Sequence, residues 1–573
     1  MQRLFPNDYP MQALTLSLSP PTNPGPLPQI LLSPSGLTLL TCLIGVGLLS
    51  SLGQPSHRKN RLATSQFAGS REKAIARQKA HRQMRDRKRN AVTFYIGKPK
   101  VKTELRSGQI TAKIIRDTQT FYLPDAQRGI AVCGGPGSGK TFSVIDPCVR
   151  SVVDQGFPLI LYDFKYPTQS ERLAGYATQA GYEVRVFAPG FPESEVCNPL
   201  DFLRDDNDAL MARQIATVLN KNFQLSAQAS EDSFFSDAGD QLIEALLMLT
   251  KGMKYADMIT MQGFLSLDGL TDRLLQANLN PWVRASFGQL FSVAKSEKTL
   301  SGITGTAFKV INRMVKPGIV DAFCGPSTIP LDLQGKQLLI LGMDRERRDV
   351  LGPLLATVLH LIVTRNVVKR RTDPLVVALD ELPTLYLPNL HQWLNENRED
   401  GLACILGFQN IVQLEKAYGK ELARAVLGGC ATKAIFNPQE PDSAQMFSTY
   451  LGDEEIRYHQ KSRNLGSGKA SYTISEQEKT RKLFEPSQFL KLRSGRCILI
   501  SPAFENNQEA SLPMQVTVKV PKADLEAMAT SQSAWDTLKA TLIHRSAQVN
   551  YTRQDIQNRY EDIDRRFPPR KGN

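Results

Sequence analysis

The stretch that most constrains this chain is Ala131 to Thr141, a short apolar run closing in Gly134, Gly135, Pro136, Gly137, Ser138, Gly139, Lys140 and Thr141. Gly134-x-x-x-x-Gly139-Lys140-Thr141 is the complete phosphate-binding loop pattern. Glycines let backbone N–H groups curl around an anion with no Cβ in the way. The helix that follows adds a favourable dipole. In this pattern Lys140 reaches the β- and γ-phosphates of a nucleotide, and Thr141 offers a hydroxyl to Mg²⁺. A second Gly-Ser-Gly-Lys at 466–469 lacks the pattern's other parts. Arg463 stands at the first glycine position, Ala470 replaces Ser/Thr, and no apolar strand leads in.

At 573 residues the chain is long enough for two or three domains. Its eight cysteines and six histidines are scattered, with no Cys-x-x-Cys pair and no zinc spacing. They read as reduced core thiols and ordinary histidines. The net charge of +14 is uneven: residues 58–89 hold twelve Lys/Arg against Glu72 and Asp86, which accounts for +10 of it. The basic excess therefore belongs to one segment and not to the folded body.

That segment follows an uncharged run. No residue from Gly36 to Gly53 carries charge, and counted from Ile30 the uncharged stretch is long enough to cross a bilayer core of ~30 Å. A transmembrane anchor competes here with a buried core helix and a cleaved secretory signal. The densely basic flank, the long preceding arm and Arg3 as its only Lys/Arg favour the anchor. The expectation is a single-pass inner-membrane protein with its bulk in the cytoplasm. Its expected parts are an arm and anchor over 1–55 (span about 36–53) and a basic juxtamembrane linker over 56–92 that touches anionic membrane lipids.

Beyond residue 92, apolar runs alternate with helical patterns. This indicates an α/β body with a parallel sheet covered on both faces. Strands are expected at 92–96, 120–123, 157–163 and 184–187, with a kink at Pro147 after the loop. Three apolar runs end in Asp163, Asp344 and Asp380. Asp380 is preferred as the Mg²⁺-side acid because Glu381 beside it can polarise an attacking water. The run 402–408 ends in Gln409, placed at a strand's carboxyl end to sense a γ-phosphate. From about 205 to 325 the texture is helical, with Ala238, Leu242, Ala245 and Leu249 on one helix face. This predicts an all-α domain inserted between 93–204 and 326–520. Residues 463–480 read as an exposed polar loop, and 521–573 as a charged tail that starts helical and ends mobile.

Several motifs in this order resemble the type IV coupling protein family, the TraG/TraD-type ATPases of conjugative and type IV secretion systems. They are Gly134 to Thr141; Tyr162-Asp163-Phe164-Lys165; Cys197-Asn198-Pro199-Leu200; Ser233-Phe234-Phe235; Leu379-Asp380-Glu381; and Gly407-Phe408-Gln409-Asn410 with Gln413-Leu414 and Tyr418-Gly419. The resemblance spans roughly 120–505. It implies a RecA-like P-loop ATPase domain with an inserted all-α domain and an N-terminal transmembrane helix. It also implies ATP and Mg²⁺ as cofactors, a homohexameric ring, and hydrolysis that moves DNA or recruits a relaxase–DNA complex to a secretion channel. By motif position Arg398 is implied as an arginine finger acting on a neighbouring subunit. The family often has two N-terminal membrane helices, whereas one span is evident here. A receptor for secreted protein cargo, a chromosome-segregation-type translocase and a nucleotide-gated scaffold are the competing readings. The joint presence of Lys140, Thr141, Asp380 and Glu381 speaks against the scaffold.

Overall fold

The computed structural model describes residues 65–106, 109–114, 120–227, 233–466, 469–505, 509–546 and 551–569. Thr64–Asn573 is one compact unit. The anchor expected at about 36–53 lies outside the described residues.

Nine strands form the central sheet: β1 (Ile130–Cys133), β2 (Leu159–Asp163), β3 (Glu183–Phe187), β4 (Gln337–Gly342), β5 (Leu375–Leu379), β6 (Leu402–Phe408), β7 (Thr432–Ile435), β8 (Arg496–Ile500) and β9 (Pro513–Thr517). Their spatial order is β9-β8-β7-β1-β6-β5-β2-β4-β3. From β7 to β3 every pairing is parallel, while β8 and β9 extend the edge in antiparallel fashion. The parallel strands are continuous apolar runs because helices cover both faces. In β2, Ile160 and Tyr162 point into one core, while Leu159 and Leu161 point into the other.

Between β3 and β4 the chain leaves the sheet and runs through helices from Ala209–Ala227 to Glu297–Met314. Ala238, Leu242, Ala245 and Leu249 are buried on one face of the Ser233–Lys251 helix. The exit and return are stitched at Asn198. Its Nδ2 donates to the Ala256 carbonyl (2.8 Å), and its backbone N–H donates to Ser327 Oγ (2.9 Å). The helical region shares one continuous core with that face of the sheet. Among the described residues, Arg345–Val367 alone is long and apolar enough to cross a membrane, but 83 % of its apolar window is buried. It is a core helix of this body.

Four expectations meet a different structure. Pro147 produces no simple kink. Lacking an N–H, it cannot extend the i→i−4 ladder, and the helix after the loop opens as a π-turn, Thr141–Ile145, before Asp146–Gln155. The polar stretch 463–480 belongs to a long hairpin, Asp453–Gly466 with Lys469–Lys482, and is not a loop. Within the basic segment, Ser70–Asp86 is a docked helix. Its small Ala76 and Ala80 are buried, and its Gln83 Nε2 donates to Asp125 Oδ1 (2.6 Å).

The fourth difference is the C-terminal segment. Helices Lys522–Ser533, Trp535–Ser546 and Arg553–Arg566 form a strap across the body. Arg150, on the helix after the phosphate loop, pairs with Asp524 at 3.1 Å. Ser531 lies against Gly175, and Arg545 reaches Glu195 at 3.0 Å. Arg559 then donates from Nε (3.1 and 2.9 Å) and from Nη2 to the buried Asp257 in the helical region, with its guanidinium over the Tyr255 and Tyr551 rings. Breaking a buried pair from one side strands a charge and costs about 3–5 kcal/mol. Arg559→Met is expected to lower stability by that amount in chemical denaturation. The exposed Arg565→Ala should change it by less than about 0.5 kcal/mol. A solvated tail would make both substitutions neutral.

Candidate functional site

The loop after β1 is shaped by its glycines. Gly137 and Gly139 have φ of +73° and +94°, which favour glycine. Neighbouring segments pin the loop from two sides. On one, the Gly135 N–H donates to the Asn437 carbonyl (2.8 Å), and Gln439 Nε2 donates to the Pro136 carbonyl (2.9 Å). On the other, the Gly495 N–H donates to the Ser138 carbonyl (2.9 Å). Gly134 has Ser138 and Phe436 packed so closely that a Cβ would clash with both.

The loop's functional side chains meet the acids of β5. Lys140 Nζ lies 3.2 Å from Asp380 Oδ1 and 3.4 Å from Glu381 Oε2. Thr141 Oγ1 donates to Asp380 Oδ2 at 2.7 Å. Burial alone would lower the Lys140 ammonium, but Asp380 and Glu381 outweigh it and hold Lys140 above its ordinary value. For Glu381, burial comes first and pushes the carboxyl up; Lys140 pulls it down, and the neighbouring Asp380 charge pushes it up again. The balance leaves Glu381 above the usual carboxylate range, as suits a proton acceptor. The Gln409 side chain bonds to Glu381 and accepts from Gln413 Nε2 at 3.3 Å.

β1 and β5 are not neighbours, because β6 lies between them. Gly407 in β6 makes the crossing possible. A Cβ there would be driven into the Asp380 carbonyl and the Ile145 methyl. Gly407 stands in a sequence motif that does not by itself reveal this role. The signal was a glycine inside an otherwise apolar strand, which marks close backbone approach. Two tyrosines steady the acid-bearing turn. Tyr162 Oη lies 2.9 Å from Thr384 Oγ1, which donates to the Glu381 carbonyl (2.6 Å). Tyr418 Oη donates to the Leu385 carbonyl at 2.7 Å.

The other strand-end acids are structural. Asp163 accepts from the backbone N–H groups of Lys165, Gln169 and Ser170 and from Ser170 Oγ, at 2.8 to 3.1 Å. Asp344 accepts from the Glu346 N–H at 3.0 Å. Arg398 is not brought to the site of its own chain. It sits, half-buried, in the connection entering β6, at the opposite end of that strand from Gln409, and makes no hydrogen bond or ion pair among the described residues.

The arrangement fits a nucleoside triphosphate with Mg²⁺. Ser138 Oγ is buried without a protein partner inside the loop, and a Cβ at Gly137 would meet open space. Thr141 and Asp380 offer neighbouring hard oxygens of the kind Mg²⁺ takes.

A parallel α/β sheet, a glycine loop on β1 and an acid pair two strands over on β5 define the phosphate-loop nucleotide-binding class. The family model for the type IV secretion-system coupling protein DNA-binding domain matches residues 120–505. The chain belongs to the type IV coupling protein family. It is 26 % identical over 408 residues to the conjugal transfer protein TraG of Rhizobium radiobacter, covering 65 % of this chain and 59 % of that protein. It is 23 % identical over 399 residues to the coupling protein VirD4 of Bartonella quintana, covering 65 % and 60 %. The chain thus spans about three fifths of the length of these curated relatives. Its fold is similar to that of the bacterial conjugative coupling protein TrwBdeltaN70, with TM-score 0.54 and 16 % identity over 70 % of this chain and 88 % of that one. TrwB in complex with ADP and Mg²⁺ is likewise similar, with TM-score 0.52 and 15 % identity over 69 % and 87 %.

Overpacking a core position costs about 1–3 kcal/mol. Gly407→Ala is expected to displace Asp380 and weaken Mg²⁺–nucleotide binding at least about tenfold, a loss near 1.4 kcal/mol, with secondary structure retained. Gly428→Ala, where a Cβ meets nothing within 4 Å, is the control. Calorimetric titration and circular dichroism check both.

Proposed function

We propose that this chain is a membrane-anchored ATPase that recruits DNA, with its relaxase, to a type IV secretion channel and drives its transfer by hydrolysis. The observation that carries this reading is the convergence of Lys140, Thr141, Asp380 and Glu381 in a chain of the coupling protein family. ATP–Mg²⁺, when bound, supplies the transferable γ-phosphoryl group. The loop Gly134 to Thr141 would wrap its phosphates, with the backbone N–H groups of Gly137, Gly139, Lys140 and Thr141 donating to them, and Lys140 would balance their charge. Thr141 and Asp380 hold the metal. Glu381 takes the proton of the attacking water, and Gln409, bonded to Glu381, positions that carboxylate.

Arg398 completes the site from a neighbouring subunit of a homohexamer. Its place at the far end of β6 supports action on another copy rather than on its own chain. The expected anchor at about 36–53 keeps the ring at the inner membrane beside the channel components. Secreted protein cargo is the alternative passenger.

Lys140→Ala is expected to abolish ATP hydrolysis while leaving the protein folded, and so is Arg398→Ala. Mixing the two variants should restore part of the activity, because one mixed interface joins an intact loop to an intact Arg398. No recovery from variants that do co-assemble would sink action in trans. DNA should stimulate the wild-type rate, less so as salt rises. No stimulation by any DNA at low salt would favour protein cargo.

A raised Glu381 also sets the pH profile. Protonation removes the base, so hydrolysis should begin to fall, as pH drops, above the range where an ordinary glutamate titrates near 4.3. Glu381→Gln should be slow and without this limb.

A further inference from the structure

The helix Ala209–Ala227 opens the inserted helical region and carries Gln214, Val218 and Asn222 at intervals of four, on one face. Asn222 is 5 % exposed. Asparagine is a poor residue for a helix interior and lies mostly at protein surfaces, because its amide must find partners. Here the amide is satisfied. Its Nδ2 donates to the Val218 carbonyl one turn back (2.9 Å) and to the Tyr386 carbonyl (2.9 Å), and its Oδ1 accepts from the Tyr386 N–H (3.1 Å). The bond to Val218 sets the plane of the amide. The two bonds to Tyr386 are the pair that an antiparallel strand residue would make, here from a side chain 164 positions away.

Tyr386 belongs to the segment that holds Glu381. Thr384 Oγ1 donates to the Glu381 carbonyl, and Tyr418 Oη donates to the Leu385 carbonyl and accepts from the Leu387 N–H (3.3 Å). Asn222 takes both backbone groups of the residue between them. The Tyr386 ring lies against that of Tyr418, with centroids 5.3 Å apart. Tyr162, Thr384 and Tyr418 brace this segment from the sheet side, whereas Asn222 reaches it from the helical region. Its helix is braced two turns earlier, where the Gln214 amide lies 2.8 Å from His360 Nε2 and His360 stacks on Trp393. Asp380 has its own anchorage, through Thr141 and Lys140 at the end of β5.

We propose that Asn222 is a positioning residue for hydrolysis: it locks Tyr386 and, through the turn 382–386, fixes where the Glu381 carboxylate points. The inference rests on the hydrolytic reading of the site and extends it to a residue of the helical region. With Tyr386 released, the turn tilts while Asp380 stays bonded to Thr141. Nucleotide and metal binding then survive, but the base is misplaced, and a misplacement of about 1 Å costs on the order of a hundredfold in rate. The competing explanation is a plain staple between the helical region and the sheet. A staple would loosen binding and rate together, and its effect would not depend on Glu381.

The test uses the full-length chain without DNA. Hydrolysis is followed by phosphate release, and ADP–Mg²⁺ affinity by calorimetric titration. Asn222→Leu nearly keeps the volume and removes every polar atom of the side chain. It should lower kcat at least about tenfold and leave ADP–Mg²⁺ affinity within about twofold. Asn222→Ser offers one hydroxyl for the amide's separate donor and acceptor; it should show the same split, and it carries the test if the leucine variant folds poorly. In a Glu381→Gln background, Asn222→Leu should cost less than about twofold further, because residues that act through one carboxylate do not add. Lys221→Ala, exposed on the same helix, should hydrolyse at the wild-type rate. Three results would each overturn the positioning role: wild-type kcat in both Asn222 variants, ADP affinity lost in step with the rate, or an undiminished further loss in the Glu381→Gln background. A wild-type chain that hydrolyses no ATP would overturn the hydrolytic reading, and this inference with it.

Discussion

The site depends on one crossing. Lys140 and Thr141 leave β1, Asp380 and Glu381 leave β5, and β6 stands between them. Two strand spacings are about 10 Å, more than a threonine side chain can span. The 2.7 Å bond from Thr141 to Asp380 exists because the turn after β5 leans over β6, and it can do so only where β6 has no side chain. Gly407 is that place. A substitution there acts on the acids without touching them.

Around this crossing the protein limits movement of either side. The phosphate loop is held by hydrogen bonds from the turns before β8 and after β7. Those strands extend the sheet beyond β1 and also supply the loop's walls. The acid turn is held by hydroxyls, from Tyr162 through Thr384 and from Tyr418 through Leu385. These motif residues outside the loop serve positioning. Asp163 works the same way: with four donors around one carboxylate it caps the helix beginning at Thr168 and has no role left for a metal. A strand-end acid is thus told apart by its partners. Backbone donors make it a cap, and the lysine and hydroxyl of the phosphate loop make it part of the site.

The strands around the site were legible because parallel strands buried on both faces must be apolar throughout, and the chemistry begins where the run stops. Leu375–Leu379 followed by Asp380 is such a boundary. The strap was not legible. Its buried residues Met528, Trp535, Leu542, Ile563 and Phe567 are too widely spaced to form a stripe, and its docking rests on arginines that any solvated tail also has. Pairs such as Arg559 with Asp257 join residues about 300 positions apart, which no local pattern records. The Ser70–Asp86 helix was hidden for a related reason. It docks on two alanines and a glutamine, and small residues leave almost no hydrophobic signal. In the long hairpin the sequence scatters Leu465, Tyr472 and Ile474 among polar residues, so the alternation that marks a half-buried strand is missing.

Under the role in trans proposed for Arg398, a single chain is not a sufficient description of the site. β6 is seven residues long, about 23 Å, with Gln409 just past one end and Arg398 just before the other. None of the bonds around Lys140, Asp380 and Glu381 involves an arginine. The strand that admits the acids to the loop through Gly407 therefore also carries, at its far end, a cation with no partner among the described residues. If copies pack so that the start of one β6 faces the loop of the next chain, one rigid strand links two sites. A shift at Gln409 in one site is then transmitted along β6 to the Arg398 of another. In the homohexamer proposed above, β6 would be the link that sequential hydrolysis needs.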